Sequence, residues 1–162
     1  MSREARKEKA LTKILRWALI PAVFILDRLS KIWVLGHLKE GEGFPVWRGV
    51  FGITRVNNTG AAFGLWRHSS ALLVGVTAVS VLAILIFLAA GAGRRHTVNS
   101  YGWALVAGGA LGNLYDRVQF GYVVDYLDFR VWPVFNAADA SICLGVFLIL
   151  MNLIGKHAPD PS

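Results

Sequence analysis

Charge is scarce in this chain: only 17% of its 162 residues are Asp, Glu, Lys or Arg, against about a quarter in ordinary soluble domains. Cysteine is scarcer still. Cys143 stands alone, so no intrachain disulfide can form, and it falls inside an apolar run, where a thiol behaves as a small inert hydrophobe. The four histidines, His37, His68, His96 and His157, are scattered over different segments. That scatter excludes the clustered spacing of a metal site, so no metal and no other cofactor is expected. The sequence also lacks a Gly-rich phosphate loop, an activated-serine motif, internal repeats and low-complexity stretches.

Apolar sequence fills the space. The chain is 55% hydrophobic with a mean hydropathy of +0.50. Within residues 71–90 the only polar side chains are Thr77 and Ser80, and the stretch is long enough to cross a bilayer. Three weaker spans, at about 14–35, 98–118 and 137–154, carry polar residues that a lipid-facing helix would avoid. The pattern predicts a mainly α membrane protein with four transmembrane helices, forming one domain over residues 1–162. Its outer loops would be 36–70 and 119–135.

Orientation follows from where the basic residues concentrate. Arg3, Arg6, Lys7, Lys9, Lys13 and Arg16 precede the first span, Arg94 and Arg95 follow the second, and Lys156 follows the fourth. The loops on the other side hold nearly as many Lys and Arg, spread over longer segments. Density near the helix ends sets topology, so both termini are expected in the cytoplasm. A pI near 10.0 reflects this anchoring charge and its attraction to anionic lipid headgroups; nucleic acid is not an expected partner. The basic start and the apolar run from Trp17 imitate a signal peptide, but no small-residue cleavage site follows. Asp27, Arg28 and Lys31 interrupt the region where one belongs, so the segment reads as an uncleaved anchor.

Between the first two spans, Gly41, Gly43, Pro45, Gly49 and Gly52 punctuate runs with β character such as Val50-Phe-Gly-Ile-Thr-Arg-Val56. They predict a small extracytoplasmic sheet lying on the membrane, with Trp47 and Trp66 as interfacial anchors. Residues 157–162 read as a frayed tail.

The polar residues of the spans each have a bland explanation. Asp27 and Lys31 are one helical turn apart and suit an ion pair. Asn113, Asp116 and Arg117 share one helix face, as a capped end with an Asp–Arg pair would. Gly108 and Gly112 have the small-xxx-small spacing of close helix packing, which would bring Asn113 and Arg117 towards the other helices. Asn136 is a good N-cap, and Asp139 in the first turn suits the helix dipole. Asn58-Thr-Gly-Ala-Ala-Phe63 alone is a turn entering a helix. These accounts leave unexplained why Asn58, Asn113, Arg117, Asn136, Asp125 and Asp139 all gather at one membrane face. A carboxylate beside hydrocarbon is costly, and two that can meet suggest an acid/base pair.

Taken together, Asp27-Arg-Leu-Ser-Lys31, Asn58-Thr-Gly-Ala-Ala-Phe63, Gly108-Gly-Ala-Leu-Gly-Asn-Leu-Tyr-Asp-Arg117 with Gly121-Tyr-Val-Val-Asp125, and Phe135-Asn-Ala-Ala-Asp139 resemble the motifs of the lipoprotein signal peptidases. Order, spacing and position relative to four spans agree from about residue 17 to residue 154. Tyr126 stands where that family commonly has Phe or Met, and the link from Asp125 to Asp139 is fairly short, which would narrow the mouth of a site. The resemblance implies an aspartyl endopeptidase of the bacterial inner membrane. It would remove the signal peptide of a diacylglyceryl-modified prolipoprotein by cutting before the lipidated cysteine, as a monomer among membrane lipids. It also implies Asp125 and Asp139 as the catalytic dyad near the outer face. Asn58, Gly60, Asn113, Asp116, Arg117, Asn136 and Asp27 would bind substrate or support the dyad.

In such a dyad one carboxylate keeps a proton while the other ionises, because two adjacent charges repel. A proton-coupled carrier or channel subunit would use the same aspartates as a relay, but a relay spreads its acids between the two membrane faces. A passive scaffold held by Asp–Arg pairs predicts that Asp-to-Asn changes weaken folding, whereas a peptidase predicts folded, inactive protein.

Overall fold

Each of the four apolar runs forms a helix. The computed structural model describes residues 3–60, 70–90 and 97–155. In chain order these form α1 (Arg3–His37), β1 (Gly43–Trp47), β2 (Phe51–Asn58), α2 (Ser70–Ala89), α3 (Thr97–Phe120), β3 (Val123–Asp128) and α4 (Ala137–Gly155). Trp66, His68, Arg94, Arg95, His96, Lys156, the tail at 157–162 and the Asn58 motif beyond Gly60 lie outside the described residues. α2 and α4 are long and apolar enough to cross a membrane by length and composition. α1 starts well before the expected first span, and Pro21 within it withholds one N–H from the helical ladder.

The burial pattern is inverted relative to a water-soluble domain. Asp27, Lys31 and Asp116 have no exposed surface, while Leu26 is 66% exposed, Ile32 57% and Val79 68%. Charged groups are almost never fully buried unless paired, so the interior must satisfy them, as described below. An apolar exterior is what hydrocarbon surroundings select.

α3 is the hub, packing on α1, α2 and α4. Its small residues permit this. A Cβ on Gly108 would meet the Ile20 carbonyl and Val23 of α1 at 2.8 Å, and one on Gly112 would collide with the Asp27 carboxylate. The expected close packing at these two glycines is therefore present. Ile20, Leu88, Ala104 and Ala107 form one apolar core between α1, α2 and α3, with Trp17 and Trp103 against it. A second core of Val34, Val124 and Tyr126 seats the sheet on the end of α1.

The sheet departs from the sequence reading. β1 and β2 pair antiparallel where a small sheet was expected, but a third strand, β3, pairs antiparallel with β2 and comes from the segment between α3 and α4. The local signal was present, since Val123-Val-Asp-Tyr-Leu127 is a β-branched and aromatic run. Its partner lies far away in sequence, which local periodicity cannot register. Gly121 makes the transition: at φ 78° it ends α3, its N–H donating to the Arg117 carbonyl at 3.1 Å, and turns the chain into the strand.

Candidate active site

Asp125 sits in the middle of β3, opposite Val56 of β2, and is 2% exposed. Both of its oxygens are held. Asn58 Nδ2, at the end of β2, donates to Oδ2 at 2.8 Å, and Asn136 Nδ2 donates to Oδ1 at 2.7 Å. Asn58 is itself oriented by a turn in which the Gly60 N–H donates to its Oδ1 at 2.8 Å. Gly60 takes φ 73°, and a Cβ there would come within 2.6 Å of Leu73 on α2.

Asp139 is in the first turn of α4, where its surroundings form a reciprocal cap. Its own N–H donates to Asn136 Oδ1 at 2.9 Å, while the Asn136 N–H donates to Asp139 Oδ2 at 3.3 Å. This is a capping box with Asp in place of Glu. The other oxygen accepts from Asn113 Nδ2 on α3 at 2.7 Å. Asn136, fully buried, thus touches both carboxylates, and its Nδ2 also donates to Asn113 Oδ1 at 3.1 Å. Asp139 is half-buried and Asn58 exposed, so the pair is approached from that side.

Beneath the pair lies a second polar layer, built largely from one turn of α1. Asp27 Oδ1 accepts the Ala138 N–H at 3.1 Å, satisfying a free amide at the start of α4. Arg28 pairs with Asp116 on α3 and stacks over Tyr115, 4.4 Å from the ring centre. The Ser30 hydroxyl accepts from the Tyr126 hydroxyl at 2.7 Å and donates to the Asp27 carbonyl at 2.9 Å. Lys31 Nζ lies 2.9 Å from Asp27, 2.8 Å from Asp116 and 3.0 Å from Asn113 Oδ1. Asp116 Oδ2 also accepts the Val124 N–H at 3.1 Å, fixing β3 next to Asp125. Two carboxylates and two cations balance one another in this layer, which is the arrangement a buried ion cluster requires.

Burial, and then the neighbouring charge of Asp139, push the Asp125 carboxyl up to about 6, against the opposing hydrogen bonds from Asn58 and Asn136 and the charge of Lys31. A carboxyl in that range keeps its proton into weakly acidic pH, where an ordinary carboxylate has lost it.

The expected residues Asn58, Asn113, Asn136, Asp125 and Asp139 form one hydrogen-bonded group, with Asp27 and Asp116 in the layer below and Gly60 at its entrance. The expected Asp27–Lys31 ion pair is present. Arg117 differs from the simple helix-end reading. Asp116 pairs with Arg28 and Lys31 instead, and Arg117 donates to the Asn113 carbonyl at 3.5 Å. Three participants were given no role in the site from sequence: Arg28, Ser30 and Tyr126. Lys31 was read only as the partner of Asp27. The signal for Arg28, Ser30 and Lys31 was their place on one turn of α1 beside Asp27, in a span where any charge needs a partner.

The family described as Signal peptidase (SPase) II matches residues 19–155 of this chain. A lipoprotein signal peptidase of Halothermothrix orenii is 44% identical over 131 residues, covering 81% of this chain and 89% of that protein. A second, from Pelotomaculum thermopropionicum, is 43% identical over 136 residues, covering 84% and 89%. Among solved structures, a bacterial membrane enzyme determined at 2.3 Å resolution superposes with a TM-score of 0.80 at 29% identity, covering 93% of each chain.

Proposed function

This chain belongs to the signal peptidase II family, and from that premise we propose that it is an aspartyl endopeptidase with Asp125 and Asp139 as its catalytic pair. It removes signal peptides from prolipoproteins. Its substrates carry a diacylglyceryl group, and it cuts just before the lipidated cysteine. The observation that carries the reading is Asn136, fully buried and bonded to both carboxylates at once.

In the single-proton state one carboxyl of the Asp125–Asp139 pair holds the proton and the other is ionised. The ionised member takes a proton from water, whose oxygen attacks the scissile carbonyl, while its partner donates its proton to the developing oxyanion. The proton taken from water then passes to the amide nitrogen as the C–N bond breaks, and the former oxyanion returns its proton to the partner carboxylate. Asn58, Asn113 and Asn136 keep both carboxylates in reach, Asp27 and Asp116 hold the backbones that carry them, and Arg117 orients the substrate.

The whole chain works as one membrane-embedded unit of the bacterial inner membrane. All four helices cross the bilayer, both termini are cytoplasmic, and the pair lies near the outer face beneath the sheet. A 35-residue α1 is about 52 Å long, well beyond the roughly 30 Å hydrocarbon core, so its basic start projects into the cytoplasm. An apolar signal helix enters laterally between the helices while the acyl chains of the substrate stay in lipid, contributing about 0.8 kcal/mol per buried methylene. The enzyme acts as a monomer and covers the cleavage site with its sheet. A relay would need acids along the bundle, whereas Asp27, Asp116, Asp125 and Asp139 share one end of it.

The test is processing of one prolipoprotein in its diacylglyceryl-modified and unmodified forms, with the cut located by mass spectrometry. Preferential cleavage of the modified form immediately before the cysteine is expected. Equal processing of both forms, or a cut elsewhere, would overturn the substrate assignment.

A further inference from the structure

Among the described residues, the largest side chain with no exposed surface is that of a cation, Lys31. Burying an ammonium is costly unless every N–H finds an acceptor. Two of its three neighbours, Asp27 at 2.9 Å and Asp116 at 2.8 Å, neutralise it. A brace between α1 and α3 would need only those two. Its third contact is Asn113 Oδ1 at 3.0 Å, and the other end of that amide reaches Asp139 at 2.7 Å.

The chemistry of these atoms is directional. An ammonium can only donate, so the Asn113 atom facing it must be the oxygen, which leaves Nδ2 pointing at Asp139. Asn136 is fixed independently. Its oxygen takes the Asp139 N–H at 2.9 Å, so its Nδ2 faces Asn113 Oδ1 and Asp125 Oδ1. Each amide nitrogen in the group thereby donates to a carboxylate, and that of Asn136 also donates to the oxygen that Lys31 holds. Without Lys31 only one neutral donor, from Asn136, would keep Asn113 from turning its oxygen towards Asp139.

We infer that Lys31 is a positioning residue for the catalytic pair, acting through the Asn113 amide, whose donor end its ammonium keeps on Asp139. This rests on the peptidase reading of Asp125 and Asp139. Among the described residues, the charged and titratable groups packed around this layer are Asp27 and Arg28 on α1, Tyr115, Asp116 and Arg117 on α3, Asp125 and Tyr126 on β3, and Asp139 on α4. Lys31 is the cation bonded to the amide that reaches the pair.

The experiment is the pH profile of kcat/KM for a diacylglyceryl-modified prolipoprotein, with wild type, Lys31→Met, Asn113→Ala and the double variant. Lys31→Met should move both limbs of the profile upward by about one unit, the size expected for removing a unit charge one amide away. Asn113→Ala should move them in the same direction although the Lys31–Asp27–Asp116 cluster is intact. The double variant should move them no further than either single change. Folded Lys31→Met with wild-type limbs and only a lower rate would reduce Lys31 to a structural brace and overturn the inference; so would additive shifts. If Lys31→Met does not fold, Asn113→Ala decides alone, and unmoved limbs overturn it. Wild type that fails to cleave removes the peptidase reading itself, whereas wild type that cleaves with unmoved limbs in the variants removes only the role of Lys31.

Discussion

Replacing Asp125 by Asn should make the protein more stable at neutral pH and less stable in acid. The Asp125 carboxyl rises from 3.8 to about 6 in the folded protein because it is buried beside Asp139. Folding therefore favours its protonated form. Between these two values the native state binds more protons than the unfolded chain, so stability falls as pH rises through that window. Above about pH 7 the full penalty is present, about 3 kcal/mol for a shift of roughly two units. An Asn at this position carries no charge and escapes the penalty. It pays a different cost, because Asn58 and Asn136 both donate to the carboxylate, and an amide can offer its oxygen to only one of them. The mismatched donor costs about 1–2 kcal/mol. The net gain at pH 7.5 is then about 1–2 kcal/mol, or roughly 3–6 °C in melting temperature for a chain of this size. At pH 4 only the hydrogen-bond loss remains, and the variant should melt below wild type. Thermal unfolding in neutral detergent, followed by tryptophan fluorescence at both pH values, reads the sign directly. A shift of the same sign and size at pH 4 and pH 7.5 would refute the reasoning.

Two further outcomes follow from packing and from the polar layer. Gly112→Ala should cost at least about 2 kcal/mol and abolish cleavage, because its Cβ would collide with the Asp27 carboxylate and press on Ala138; melting temperature and turnover check it together, and a stable active variant would contradict the packing. Tyr126→Phe removes the hydroxyl that donates to Ser30 and leaves the carboxylates untouched, so stability should fall by about 1 kcal/mol with turnover within a few-fold of wild type. A large loss of turnover there would move Tyr126 into the reaction.

The fold was legible where it depends on continuous chemistry. An apolar run such as residues 71–90 has few solutions in lipid, and α2 covers it almost residue for residue. The spacing of Gly108 and Gly112 announced a close helix approach to α3 for a simple steric reason, without saying that α1 makes it. β3 was missed because its identity as a strand depends on pairing with β2, and that register is set by tertiary contact rather than by periodicity. For the site, capping preference gave Asn136 and Asp139 their local geometry from sequence. The second layer was harder to see. Asp116 and Arg117 are neighbours on one helix and invite a local pair, yet Asp116 bonds Arg28 and Lys31 across 88 and 85 positions of sequence. Partner choice in a buried charge cluster is decided by which elements meet, and a single sequence does not carry that.

Cleavage of a diacylglyceryl-modified prolipoprotein by purified wild type, Asp125→Asn and Asp139→Asn tests the central claim most directly, with folding of all three verified by thermal unfolding. The account predicts that wild type cuts before the lipidated cysteine and that both folded variants are inactive. Cleavage that survives both substitutions would make the two aspartates structural and contradict it.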